Sequence, residues 1–174
     1  MTQNSSNDKP VTIYTDEACM RLALSQANLA AEEGEVPVGA VVLWQGRIIA
    51  RAHNQVELLK DATAHAEILA LTQASAAKGD WRLDDCTLFV TKEPCAMCAG
   101  AMVNARLGKL VFACPDPRMG AAGSALDITG FSGMLHQVEV QSGLLEDEAR
   151  EILQSFFRQR RQDKNARRLA FLFR

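Results

Sequence analysis

The chain has 174 residues, 48% of them apolar and 23% charged, which suits one globular domain with a buried core. No apolar run approaches the roughly 18 residues that a membrane-spanning helix needs, so no such helix is expected. The net charge of −2 hides an asymmetry: residues 158–174 hold seven Lys/Arg against Asp163, a net +6, which leaves residues 1–157 at −8. A basic end on an acidic body predicts an anionic partner met at the C-terminus.

Met1 to Pro10 is polar and has no apolar core of a secretory signal, so residues 1–12 read as a disordered tail. Thr15 is a candidate N-cap, with Asp16 and Glu17 in the first turn of a helix. Ala18, Leu22, Leu29 and Ala30 recur near helical spacing, and Gly34 can end it. Val38–Trp44 and Arg47–Ala52 are β-rich runs joined by Gln45-Gly46, a tight hairpin turn. A second helix is expected from about His65 to Ala77, stopping at Gly79. Cys86–Thr91 reads as a strand that leads into Glu93-Pro94-Cys95. Pro94 suits the first turn of the helix that follows, to about Ala105. Lys109–Ala113 is a further strand, 115–123 a loop broken by Pro117, Gly120 and Gly123, and Val138–Val140 a short strand.

The last helix starts near Glu146 and runs through Leu153, Phe156 and Phe157 into the basic end. The order predicts an α/β fold, with three α/β/α layers around a mixed five-stranded sheet. Its hairpin is antiparallel and its later strand–helix–strand units are parallel with right-handed crossovers. One domain over 13–162 is expected, followed by a basic C-terminal tail, 163–174.

Five cysteines, an odd number, argue against a disulfide framework and for a reducing, cytoplasmic compartment. Cys19, Cys86 and Cys114 read as small buried hydrophobes. Cys95 and Cys98 belong to Pro94-Cys95-Ala96-Met97-Cys98, which follows His65-Ala66-Glu67. One imidazole and two thiolates are three zinc ligands, and three leave a fourth position open, as catalytic sites do. Cys95 and Cys98 are three apart and share a helix face at its N-terminus, where the dipole and free N–H groups favour thiolate. His65 and Glu67 are two apart, so the histidine can hold the ion while the carboxylate leans toward the water or the substrate.

Glu67 is then the general base and acid, and zinc the source of hydroxide near neutral pH. A lone C-x-x-C is often structural, but such a site wants a fourth protein ligand. His53 and His136 belong to no paired ligand motif. The H-x-E…P-C-x-x-C pattern is known from zinc nucleobase deaminases.

With this motif the chain resembles bacterial tRNA-specific adenosine deaminases of the cytidine deaminase-like superfamily, from about Asp16 to Arg161. Further matching stretches are Glu35-Val36-Pro37-Val38-Gly39-Ala40-Val41, Thr63-Ala64-His65-Ala66-Glu67 and Cys98-Ala99-Gly100-Ala101-Met102. Gly120-Ala121-Ala122-Gly123-Ser124 and Phe156-Phe157-Arg158 with Arg160-Arg161 point to the tRNA branch. The resemblance implies hydrolysis of adenosine to inosine at the wobble position of a tRNA anticodon, one Zn2+ per subunit, and a homodimer with the anticodon loop bound across it.

It also implies that Asn54 hydrogen-bonds the flipped base, that Val36 and Ala66 belong to the substrate pocket, and that Asp116 and Arg118 meet flanking nucleotides. Phe156, Phe157 and Arg161 would contact the anticodon loop. The chain departs from the common pattern at Ala62, where proline is usual, and at Lys92, where an apolar residue is usual. It departs again at Leu135-His136-Gln137, usually Asn-His-Arg. Two other functions compete: a deaminase of a free base or nucleoside, such as guanine or cytosine, and an RNA-binding protein with a structural zinc.

Overall fold

The computed structural model describes residues 14–172, with side chains in the last helix through 166. The expected disordered tail, 1–12, lies outside the described residues. Helix α1 (Asp16–Glu32) starts where expected, because the Thr15 hydroxyl accepts the Ala18 N–H at 3.2 Å. Strands β1 (Gly39–Trp44) and β2 (Arg47–His53) form the hairpin, and Gln45 and Gly46 both take positive φ, 47° and 74°. A turn with two left-handed residues matches the twist of paired strands. Helix α3 (Ala66–Lys78), strand β3 (Cys86–Lys92), helix α4 (Ala96–Asn104), strand β4 (Lys109–Cys114), strand β5 (Glu139–Ser142) and helix α5 (Glu146–Leu172) complete the expected order.

Several element ends shift by one or two residues from the sequence reading, and three differences are informative. A one-turn helix, α2 (Val56–Leu59), was not foreseen, since a tertiary contact holds it: the Leu58 N–H donates to the buried Glu35 carboxylate at 2.7 Å. Pro94 is not in the first turn of α4, because Cys95 is the N-cap and Pro94 precedes it. The last strand starts at Glu139 rather than Val138, whose N–H bonds instead to Thr129 O at 3.0 Å. Helix α5 continues unbroken through 163–172, so the backbone of the basic tail extends the last helix.

The sheet order is β2-β1-β3-β4-β5, with β1 antiparallel to both β2 and β3, and β3, β4 and β5 parallel. Alternate side chains feed two cores. Ala40, Val42, Leu88, Val90, Leu110 and Phe112 pack with Ala70, Leu71 and Ala74 of α3 and Met102 and Val103 of α4. Val41, Phe89, Val111 and Ala113 pack on the other face with Cys19, Met20, Ala23 and Leu24 of α1 and Ala149 of α5. The helices on both faces make the three α/β/α layers. Cys19, Cys86 and Cys114 are buried and free, and burial pushes the Cys19 and Cys86 thiols up to about 11, as inert core cysteines require.

Candidate active site

The site forms at the carboxyl end of β3, where open α/β sheets carry their ligands. His65 is the N-cap of α3 and Cys95 the N-cap of α4, both with extended backbone and neither using its side chain as a cap. Their side chains are therefore free to turn toward each other, and Cys98 joins them from the first turn of α4. The His65 Nδ1 lies 3.7 Å from Cys95 Sγ and 3.5 Å from Cys98 Sγ, and the two sulfurs are 3.7 Å apart.

A tetrahedral ion with bonds of about 2.3 Å to sulfur and about 2.0 Å to nitrogen sets edges of about 3.8 Å and about 3.5 Å. The triangle matches that size, and its three ligand atoms form a group able to hold a metal ion. Hydrogen bonds from Cys98 and His65 hold the Cys95 thiol down at about 3, the direction that favours the thiolate a metal ligand needs. The hydrogen bond with Cys95, together with burial, pushes the Cys98 thiol up.

No fourth protein ligand joins among the described residues. His53 is bound to Glu33 at 3.0 Å and Gln26 at 3.4 Å, and His136 to Leu107 O at 2.7 Å. Glu67, in the first turn of α3, is buried, and its Oε2 has no hydrogen-bond partner among the described residues. Burial pushes its carboxyl up. A buried carboxyl atom left without a partner is costly, and such atoms mark places where a ligand or water belongs. Three ligands would leave a fourth position open on a bound ion, and the unpartnered Glu67 oxygen would suit a water or substrate there.

Glu67, His65 and Cys95 face a cleft of about 330 Å³ that Val36 and Asn54 also line. Asn54 is buried, and its Oδ1 accepts the Ala66 N–H at 2.9 Å. That bond orients the amide, so Asn54 presents its NH2 group as a donor. Ala66 is fully buried, and its backbone N–H is taken by Asn54. The mouth comes from far along the chain: Phe156, Phe157 and Arg160 of α5 line the same cleft. The two rings meet edge to face with centroids 5.4 Å apart, and the Arg160 guanidinium lies 5.6 Å over the Phe156 ring. Phe157 remains 43% exposed. Arg118 and Arg161 share an adjoining groove with Phe157.

Asp116 is held within the protein. Its Oδ1 accepts the N–H groups of Arg118 and Met119, and its Oδ2 is bound by Lys92. Burial raises its carboxyl, but Lys92 and the backbone donors outweigh this and leave it lowered. Leu135 points to solvent, 96% exposed.

The sequence reading gave no role to Glu93, which organises this loop. Its buried carboxylate accepts from Asp116 N at 2.8 Å, Ala122 N at 3.1 Å and Ser124 N at 3.0 Å. A Cβ on Gly120 would sit 2.3 Å from that carboxylate, so only glycine admits the close approach. A carboxylate at the end of a buried strand, directly before proline, was the signal available in the sequence.

The model of the MafB19-like deaminase family matches residues 14–161. A tRNA-specific adenosine deaminase of Bacillus subtilis is 47% identical over 153 residues, covering 88% of this chain and 95% of the relative. One from Agrobacterium fabrum is 45% identical, covering 83% and 95%. A structure from a study of A-to-I editing by tRNA:A34 deaminases superimposes with a TM-score of 0.75 at 44% identity, covering 78% of this chain and 98% of that one. A guanine deaminase from Nitrosomonas europaea has the same fold, with a TM-score of 0.73 at 28% identity over 86% and 88% of the two chains. On fold, metal-ligand triangle and identity along nearly its whole length, the chain belongs to the bacterial tRNA-specific adenosine deaminase family of the cytidine deaminase-like superfamily.

Proposed function

We propose that this protein hydrolyses adenosine to inosine at the wobble position of a tRNA anticodon. The observation that carries the reading is Glu67, buried and unpartnered beside the His65–Cys95–Cys98 triangle, in a cleft whose mouth is aromatic and basic. Zinc suits the imidazole and two thiolates, and when bound it supplies the acidification of water that makes hydroxide available near neutral pH.

The chain's own residues do the rest. Glu67 takes the proton from water as oxygen bonds to C6 of adenine, and delivers a proton to N1. It then takes the second proton from the new C6 hydroxyl and passes it to the exocyclic amine, which leaves as ammonia as the C6 carbonyl forms. Its raised carboxyl suits a group that must both accept and donate. The Asn54 NH2 donates to the ring edge, and burial of that edge makes the bond selective for a purine placed in register. Phe156 and Phe157 offer faces to bases next to the flipped nucleotide, and Arg158 and Arg161 neutralise phosphates.

We further assign one zinc deaminase domain to 13–162 with 163–174 as a basic extension, a homodimer that binds the anticodon loop across both subunits, and a cytoplasmic location. The fold shared with a guanine deaminase keeps a free-base substrate as the second reading. Zinc-loaded protein incubated with an anticodon stem-loop carrying wobble adenosine, and separately with adenosine, cytidine and guanine, distinguishes them. Inosine from the stem-loop alone is the expected result by nucleoside mass spectrometry. Turnover of a free base or nucleoside alone would overturn it.

A further inference from the structure

We infer that Lys92 is a substrate-binding residue whose ammonium takes a backbone phosphate next to the reacting adenosine. The inference rests on the RNA reading above and names a contact within it. Lys92 closes β3 three residues before Cys95 and lines the same cleft as His65 and Glu67. The cleft is otherwise acidic: Glu35, Glu57, Glu67 and Glu93 line it, against Lys92 and Arg160 as its permanent cations among the described residues. A nucleotide inserted there carries phosphates on both sides past these carboxylates. Glu35 and Glu93 are bound by backbone N–H groups, and neither can move away. A fixed cation at this rim offsets the repulsion, and free adenosine, which has no phosphate, does not need it.

The geometry also provides a resting place. Lys92 is paired with Asp116 and keeps 32% of its side chain exposed, whereas Asp116 is only 13% exposed. Asp116 is anchored independently of Lys92 by the Arg118 and Met119 N–H groups and by its own N–H to Glu93. The ammonium can therefore leave for a phosphate while the loop keeps its shape. Asp116 holds the side chain extended toward the rim beforehand, which lowers the entropy lost when substrate binds. An apolar residue at this position could not make this contact.

The test uses the full-length zinc-loaded protein. Binding of a fluorescein-labelled anticodon stem-loop with guanosine at the wobble position, which does not react, is measured by anisotropy from 50 to 300 mM KCl, alongside KM and kcat on the adenosine stem-loop. Lys92→Gln keeps a donor for Asp116 and removes the charge. It should raise Kd and KM about fivefold, leave kcat and zinc content unchanged, and lower the salt slope by about 0.7, one single-strand phosphate. Lys92→Arg should restore both Kd and slope. Lys92→Leu should match Lys92→Gln.

Weaker binding by Lys92→Leu with an unchanged slope and a normal Lys92→Gln would make the residue a pin for the loop and overturn the phosphate contact. A Lys92→Gln protein equal to wild type on a stem-loop that is still deaminated would overturn it while leaving the tRNA reading intact. Wild-type protein that neither binds nor deaminates the stem-loop would remove both.

Discussion

The two ends of strand β3 carry the same kind of ion pair in different settings. At the amino end, Lys78 binds Asp85 and Arg82 O, and Asp85 also accepts the Trp44 indole N–H at 2.7 Å. Lys78 passes 5.9 Å from the Trp44 ring, and its side chain is 12% exposed. Every polar group in that cluster is matched within it. At the carboxyl end, Lys92 binds Asp116, but among the described residues Glu67 keeps an oxygen with no partner and three candidate ligand atoms converge without a fourth. A satisfied cluster holds structure. An unsatisfied one, buried at energetic cost, is where a metal, a water and a substrate belong.

Breaking the carboxyl end should therefore cost function first. Cys95→Ala removes one of the three candidate ligand atoms. Zinc occupancy measured by plasma mass spectrometry should fall close to zero, with loss of turnover and a lower melting temperature, because metal binding is coupled to folding. Full occupancy would refute the ligand assignment. Glu67→Ala should keep zinc and lose about 10²- to 10⁴-fold in kcat, the range of a proton-transfer group. Normal kcat would remove Glu67 from the proton path.

Glu93→Ala leaves the Asp116, Ala122 and Ser124 N–H groups without their acceptor, and should lower unfolding free energy by about 3 kcal/mol in urea titrations. Phe157→Ala should raise KM on the stem-loop about tenfold, the loss of one stacked base, without touching zinc. Equal KM values would place the ring in packing alone.

The amino end supplies the smallest effect and the control. Hydrogen bonds from Lys78 and Trp44 hold the Asp85 carboxyl below its usual value. A lowered carboxylate stabilises the fold above its unfolded pKa, near 4, and this stabilisation is lost as pH falls through the lower folded value. Asp85→Asn should therefore be less stable than wild type at pH 7 by less than about 1 kcal/mol, since the Asp85 side chain is 48% exposed. The gap should close below about pH 4, and kcat should not change. A kcat defect would mean that the two ends are coupled.

Much of the molecule was legible before any coordinates. Thr15, the Gln45-Gly46 turn and Gly79 are local signals, and each element they bound lies where expected. The metal triangle was legible because each ligand belongs to a short segment whose backbone dictates its own conformation. The one-turn helix α2 was not, because the Glu35 carboxylate that holds it comes from more than twenty residues earlier. Nor was the occupation of Asp116 by Lys92, or the role of Glu93, since each depends on a loop folding back onto the end of a strand.

The sequence by itself determined the candidate ligand types, the carboxylate next to them, the alternation that builds a two-sided sheet and the charge of the last helix, all properties of residues and their near neighbours. The tertiary structure alone decided that Phe156, Phe157 and Arg160 close the cleft about ninety residues downstream of His65, and that Glu67 is buried with one oxygen lacking a partner among the described residues. Both depend on where α5 packs and where strands end, and contacts between distant segments follow from the packing of the whole domain rather than from local spacing.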